Sequence, residues 1–137
     1  MRIFRGTIFF MVTCIGVSVG WPAVAEDLLL FGGDGHKEFL GCLNCSEYAG
    51  NSIWNEMSIY GWKNGFGTWN QFGPYKSQFS SYSACNDFAS DPPVIVDQRG
   101  MYYGRLTVNE IRTDSVCSSL KNAEQLCQAL KIMCADQ

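Results

Sequence analysis

The chain carries one histidine, His36, and its ten Lys and Arg residues never gather into a basic run. That removes the electrostatic footprint expected of a nucleic-acid partner, and anionic membrane surfaces go with it. Gly-x-Ser-x-Gly, His-Glu-x-x-His and the phosphate-binding loop are all missing, so the local signatures of several hydrolase and nucleotide-binding classes are absent. Beyond residue 25 no apolar stretch approaches the roughly 20 residues a spanning helix needs. At 137 residues the chain has room for one domain at most.

What is present begins with an export pattern. Arg2 and Arg5 give a basic start, residues 8–20 ("IFFMVTCIGVSVG") form a short apolar run, and "AVA" at 23–25 fits a small-residue cleavage site. A lipid-anchored reading would use Cys14, but Thr13 stands where a small residue is expected before it. The expected organisation is a signal peptide at 1–25 and one small domain at 26–137, with no stable membrane insertion after cleavage. Losing Arg2 and Arg5 takes the net charge from −3 to about −5.

Cysteine usage agrees with export. Without Cys14 six remain: Cys42, Cys45, Cys85, Cys117, Cys127 and Cys134. An even count in a short exported chain favours disulfides, although spacing alone does not choose among the fifteen pairings. The Cys42-Leu43-Asn44-Cys45 spacing also suits thiol redox chemistry or zinc. No parallel crossover follows it, and no second close pair of soft ligands accompanies it, so the structural reading is preferred.

Residues 27–31 ("DLLLF") read as a buried strand closed by Gly32-Gly33. The segment 46–90 is aromatic and rich in Gly, Ser and Asn, and three windows in it align: "SIWNEMSIY" from Ser52, "GTWNQFGPY" from Gly67 and "SACNDFASD" from Ser83. Each opens on a cap-type residue, with Trp or Cys two positions on and then Asn. Read as capping boxes, these predict one- or two-turn helices, with Trp54 and Met57, or Trp69 and Phe72, sharing a face. Residues 94–109, with a turn at "QRG" and Gly100 in a left-handed position, predict a β-hairpin. A Cys-containing helix is expected over 114–137.

Asp34 and His36 resemble a fragment of an acid–base or metal site, but "GGDGHKEF" is ordinary turn sequence. No catalytic residue, metal ligand or cofactor is assigned. The aromatics are the remaining lead, and Trp54, Trp69, Phe72 and Phe88 are expected in the core because so small a domain buries most of its large side chains. Trp62 and Phe66, which fall between copies, are the candidate binding surface.

Taken together, "FLGCLNC", the "SIWN" and "TWN" units, "DPPVIVD" and "YGRLTVN" resemble a family of small exported bacterial proteins without an assigned activity. The resemblance covers about residues 28–109 and implies a periplasmic or secreted location. This chain departs from the pattern by lacking "YGS" after its second unit and by placing the repeat cysteine, Cys85, in the third. The resemblance implies that Cys85 pairs with Cys42 or Cys45, leaving the other to reach the terminal helix.

The expected fold is α+β: a small antiparallel sheet, short repeat helices and a C-terminal helix, stabilised by disulfides. The expected function is a non-enzymatic binding module for a protein or cell-envelope glycan. The alternative is a small envelope enzyme with a carboxylate- or thiol-based site.

Overall fold

A computed structural model describes residues 25–61, 67–119 and 123–135. Trp62, Phe66 and nearly all of the expected signal segment lie outside those residues. Strand β1 (Leu28–Gly32) forms from the expected leucine run and sits at the centre of a sheet. It pairs antiparallel with β2 (Glu38–Cys42) on one side and with β3 (Val94–Asp97) on the other. Strand β4 (Tyr102–Arg105) completes the order β2-β1-β3-β4 as the second arm of the expected hairpin. The fold is therefore α+β, with β2 falling where the sequence shows only an approach to the first cysteine pair.

The two halves of this sheet repeat each other. Gly41 lies opposite Leu30, and Gly104 lies opposite Ile95. Both glycines have positive φ, 121° and 136°. The register slips at the same place in each hairpin, after Leu30 and after Ile95. Beyond the glycine, Cys42 accepts from Ile53 N and donates to Asn51 O, while Arg105 accepts from Val116 N and donates to Asp114 O. Leu43 N bonds Leu28 O as Leu106 N bonds Pro93 O. Leu30 and Ile95 are equivalent residues and also face each other across β1 and β3, so the halves are related by an approximate twofold axis through that pair. The core follows the same symmetry: Leu30 with Ile95, Leu43 with Leu106, and Ile53 with Val116 are all buried in one cluster.

Glycine is required at Gly41. A Cβ there would meet Ile53 Cγ2 at 2.7 Å and Asn51 O at 2.9 Å, and its φ is one that L side chains avoid. The strand can pass this close to the 51–53 segment only because no side chain intervenes.

The aligned windows do not form helices among the described residues. They form consecutive tight turns, in which every third amide donates three residues back: Asn55 to Ser52 O, Ser58 to Asn55 O, Gly61 to Ser58 O, and Asn70 to Gly67 O. The small polar residue that opens each triplet also accepts, through its side chain, from the amide two positions on. Trp54 N bonds Ser52 Oγ, Met57 N bonds Asn55 Oδ1 and Cys85 N bonds Ser83 Oγ. These are Asx- and Ser/Thr-turns, in which a short side chain imitates a backbone acceptor. Serine hydroxyls then tie successive loops of the coil together, Ser58 to Gly50 O at 2.7 Å and Ser83 to Tyr75 O at 3.1 Å. The pattern returns after β4, where Ile111 N bonds Asn109 Oδ1 and Cys117 N bonds Ser115 Oγ. For that reason β4 ends at Arg105, short of the expected 109.

The terminal helix α1 (Glu124–Ala135) is shorter than the expected 114–137. Residues 115–118 are held in turns by Ser115 and by the Arg105 bridge. Cys127 and Leu130 form its buried stripe. Two disulfides fasten it, Cys117–Cys127 locally and Cys85–Cys134 to the third repeat window, and Cys42 bonds Cys45. The pairing implied by the family resemblance, Cys85 with Cys42 or Cys45, is thus corrected. The Cys42–Cys45 segment turns back on itself at the end of β2, while Cys85 faces the helix. Three disulfides fit an oxidising compartment. Among the described residues no helix is long and apolar enough to cross a membrane.

Asp97 organises the β3–β4 turn. Its buried carboxylate accepts from Arg99 N at 2.8 Å, Met101 N at 2.9 Å and the Tyr103 hydroxyl at 3.2 Å. Gly100 takes the expected left-handed conformation, φ 83°. Burial works to raise the carboxyl pKa, but hydrogen bonds from Met101 and Arg99 outweigh it and hold the group well below the ordinary range. A carboxyl depressed in the folded state stabilises above its unfolded pKa, about 3.9, and that stabilisation fades as pH falls below it. Asp97→Asn should therefore be less stable than the wild type at neutral pH, with the gap in Tm narrowing below about pH 4. Thermal unfolding of both proteins between neutral pH and pH 2 checks this, and a gap constant with pH would contradict it.

Candidate functional site

Two features stand out beyond the core. The first is a polar cluster at the end of β4. Arg105 Nη1 donates to Asp91 Oδ1 at 2.8 Å and to Pro92 O at 2.9 Å, and lies 3.2 Å from His36 Nε2. His36 Nε2 is itself 3.0 Å from Asp91 Oδ1. On the other side Arg105 Nε lies 3.3 Å from Asp114 Oδ2, which also accepts from the Tyr102 hydroxyl, while Arg112 bonds Asp114 Oδ1. Burial disfavours the Arg105 charge, yet the hydrogen bond it donates to Asp91 and the negative charges of Asp91 and Asp114 push the pKa above its usual value. For Asp114, burial acts upward and the bonds from Arg112 and Tyr102 prevail, so its pKa is lowered.

This cluster revises the sequence expectation. The acid that meets His36 is Asp91, whereas Asp34 sits exposed on the same short turn, Asp34–His36. Chemically, the arrangement is a guanidinium held between two carboxylates. It joins the 33–37 loop, the segment before β3 and the 112–114 turn. Its carboxylates are committed to cations, and His36 contacts one of those carboxylates and the guanidinium itself. It serves as a clamp.

The Cys42 and Cys45 sulfurs come close to the Asp27 carboxylate, with ligand atoms within 4.8 Å of one another. Because those sulfurs are bonded together, neither offers a thiolate for a metal or for exchange.

The second feature is the outer edge of the turn coil. In each aligned window a buried triplet is followed by an exposed one. In "SIW", "GTW" and "SAC" the middle residues Ile53, Thr68 and Ala84 are buried, and Trp54 and Trp69 stack inward with ring centres 5.6 Å apart. The following triplets, "NEM", "NQF" and "NDF", turn outward. Met57, Phe72 and Phe88 are exposed, as are Phe79 and Ile111 at the ends of "SQF" and "NEI", all between 88 and 93 %. Each of these five has its amide held by the side chain that opens its triplet, Asn55, Asn70, Ser77, Asn86 or Asn109. The turn fixes the backbone beneath each apolar side chain, so these tips are presented on anchored ground.

Known proteins offer no match: no family model, no curated protein and no solved structure corresponds to the chain. The functional reading therefore rests on the tips. They correct the expectation that Phe72 and Phe88 lie in the core beside Trp69. Their signal in the sequence is the outward triplet itself, a residue with a short polar side chain, an acid or amide, and then Met, Phe or Ile.

Proposed function

We propose that the protein is a non-enzymatic binding module of the periplasm or cell exterior, recognising a protein or cell-envelope glycan through its outward tips. One observation carries the reading: five large apolar side chains occupy the same place in five turn triplets and point to solvent. A single exposed Phe is unremarkable on a protein surface. Repetition of one at the same register is not, since burying each would contribute roughly 1.5–3 kcal/mol. The alternative, a small envelope enzyme, draws on the Arg105 cluster. Its carboxylates are engaged and its CxxC cysteines are bonded, so binding is preferred.

The test is co-sedimentation of the oxidised protein with the envelope fraction of its source cells. Phe72→Ser, Phe79→Ser and Phe88→Ser combined should reduce sedimentation by roughly tenfold, as expected when central anchors are lost. Because these side chains are exposed, the Tm should hold. Prior digestion of the envelope with protease or with a glycan hydrolase tells which partner class is bound. Wild-type sedimentation by the triple variant would sink the proposal.

A further inference from the structure

The outer side of α1 carries a groove in two parts. One hollow, about 480 Å³, is lined by Asp87, Phe88, Val108 and Ile111. The other, about 510 Å³, is lined by Val116, Ser118, Glu124 and Gln128. Glu110 and Lys131 line both, and their ion pair at 2.5 Å separates the hollows. Each volume lies within the range of ordinary ligand pockets, about 300–1,000 Å³.

The walls are fixed in place. Asn109 Nδ2 donates to Asp87 O at 2.7 Å, holding the "NDF" and "NEI" turns side by side. The Cys117–Cys127 disulfide binds the 115–118 turns to α1 beside the second hollow. Phe88 and Ile111 thus form a standing apolar pair, and the residue before each is an acid, Asp87 and Glu110.

We propose that this groove docks an extended polypeptide segment of a partner protein in which basic and apolar side chains alternate. The inference rests on the binding-module reading and narrows it to one occupant. Charge complementarity favours that occupant: among the described residues of the lining, Asp87, Glu110 and Glu124 are set against one cation, Lys131, which Glu110 already engages. An extended chain sends successive side chains to opposite sides. Its apolar residues can cover Phe88 and Ile111 while its cations reach Asp87 and Glu124. A neutral glycan answers this surface less well, since Ile111 has no aromatic face for a sugar ring and the carboxylates would lack counter-charges.

The experiment is fluorescence anisotropy of the oxidised protein with four labelled probes. These are an eight-residue Lys/Leu alternating peptide, Lys/Ser and Glu/Leu counterparts, and an N-acetylglucosamine tetramer. The Lys/Leu peptide should bind in preference to the other three. Asp87→Asn and Phe88→Ser should each weaken it by about tenfold, equivalent to roughly 1.4 kcal/mol. Ile59→Ser, an exposed position that lines neither hollow, should leave it unchanged. Equal binding of the Lys/Ser peptide would reduce the effect to bulk charge and overturn the proposal, as would indifference to Asp87→Asn and Phe88→Ser. Preferential binding of the tetramer would overturn it in favour of a glycan site. In any of these cases, continued dependence of envelope sedimentation on the tips leaves the binding-module reading standing. If that dependence is absent too, both fail.

Discussion

Replacing Cys85 and Cys134 together by alanine should destabilise the oxidised protein by about 4 kcal/mol, the largest loss from any one of its disulfides. The bond spans 49 residues of sequence, against 10 for Cys117–Cys127 and 3 for Cys42–Cys45. In the chain-entropy model, a cross-link stabilises by limiting the unfolded ensemble, more so for a longer loop. The same relation gives about 2.7 kcal/mol for Cys117–Cys127 and about 1.6 for Cys42–Cys45. Position adds to length. Cys85 is buried in the third window and Cys134 stands in the last turn of α1, so this bond ties the end of the helix to the turn coil. For a domain of this size the expected fall in Tm is roughly 15–20 °C. Urea unfolding of the three paired-alanine variants checks the order, and a smaller loss for Cys85/Cys134 than for Cys117/Cys127 would contradict it.

Why the sequence shows some of this and hides the rest follows from the hydrogen bonds involved. The leucines of β1 and the hairpin around Gly100 are legible because apolar residues, turn residues and left-handed glycine each carry a local signal. The turn coil is ambiguous at that level. A helix cap and an Asx- or Ser/Thr-turn use the same bond, a short side chain accepting from an amide two or three residues ahead. What separates them is the next triplet. In the coil another Ser, Asn or Gly arrives every third position, as at Ser52, Asn55, Ser58 and Gly61, where a helix would bring residues of high helical propensity. Spacing of the copies carries the same message. Between the first two windows the offset is a multiple of three. Before the third, the extra Lys76 is absorbed by a wider turn, Ser77 N to Gly73 O.

The approximate twofold repeat is nearly silent in the sequence. Its carriers are Gly41 and Gly104, Leu43 and Leu106, and Ser52-Ile53 with Ser115-Val116. Between them Cys42 stands where the other half has Arg105, because one half closes on a disulfide and the other on the Asp91–Arg105–Asp114 clamp. Backbone geometry keeps the symmetry while the side-chain chemistry diverges. The binding face is hidden for another reason. Composition alone places large apolar residues inside, whereas a three-residue turn can alternate its triplets between inside and outside.

That alternation leads to the second large expected effect, a contrast between residues three apart. Trp69→Ala should cost roughly 3–5 kcal/mol, the usual loss for a buried tryptophan, since Trp69 is 3 % exposed and stacks against Trp54. Phe72→Ala should cost less than about 0.5 kcal/mol, as expected for a surface change away from caps and networks. The Asn70 side chain that holds the Phe72 amide bonds the backbone and is untouched by the substitution. In a short helix the two side chains would share a face and both substitutions would be costly. In the turn coil they belong to successive triplets facing opposite ways. Denaturant unfolding of both single variants therefore discriminates the architectures directly. Comparable losses would favour helical packing and remove the tips from the surface, and with them the basis for binding.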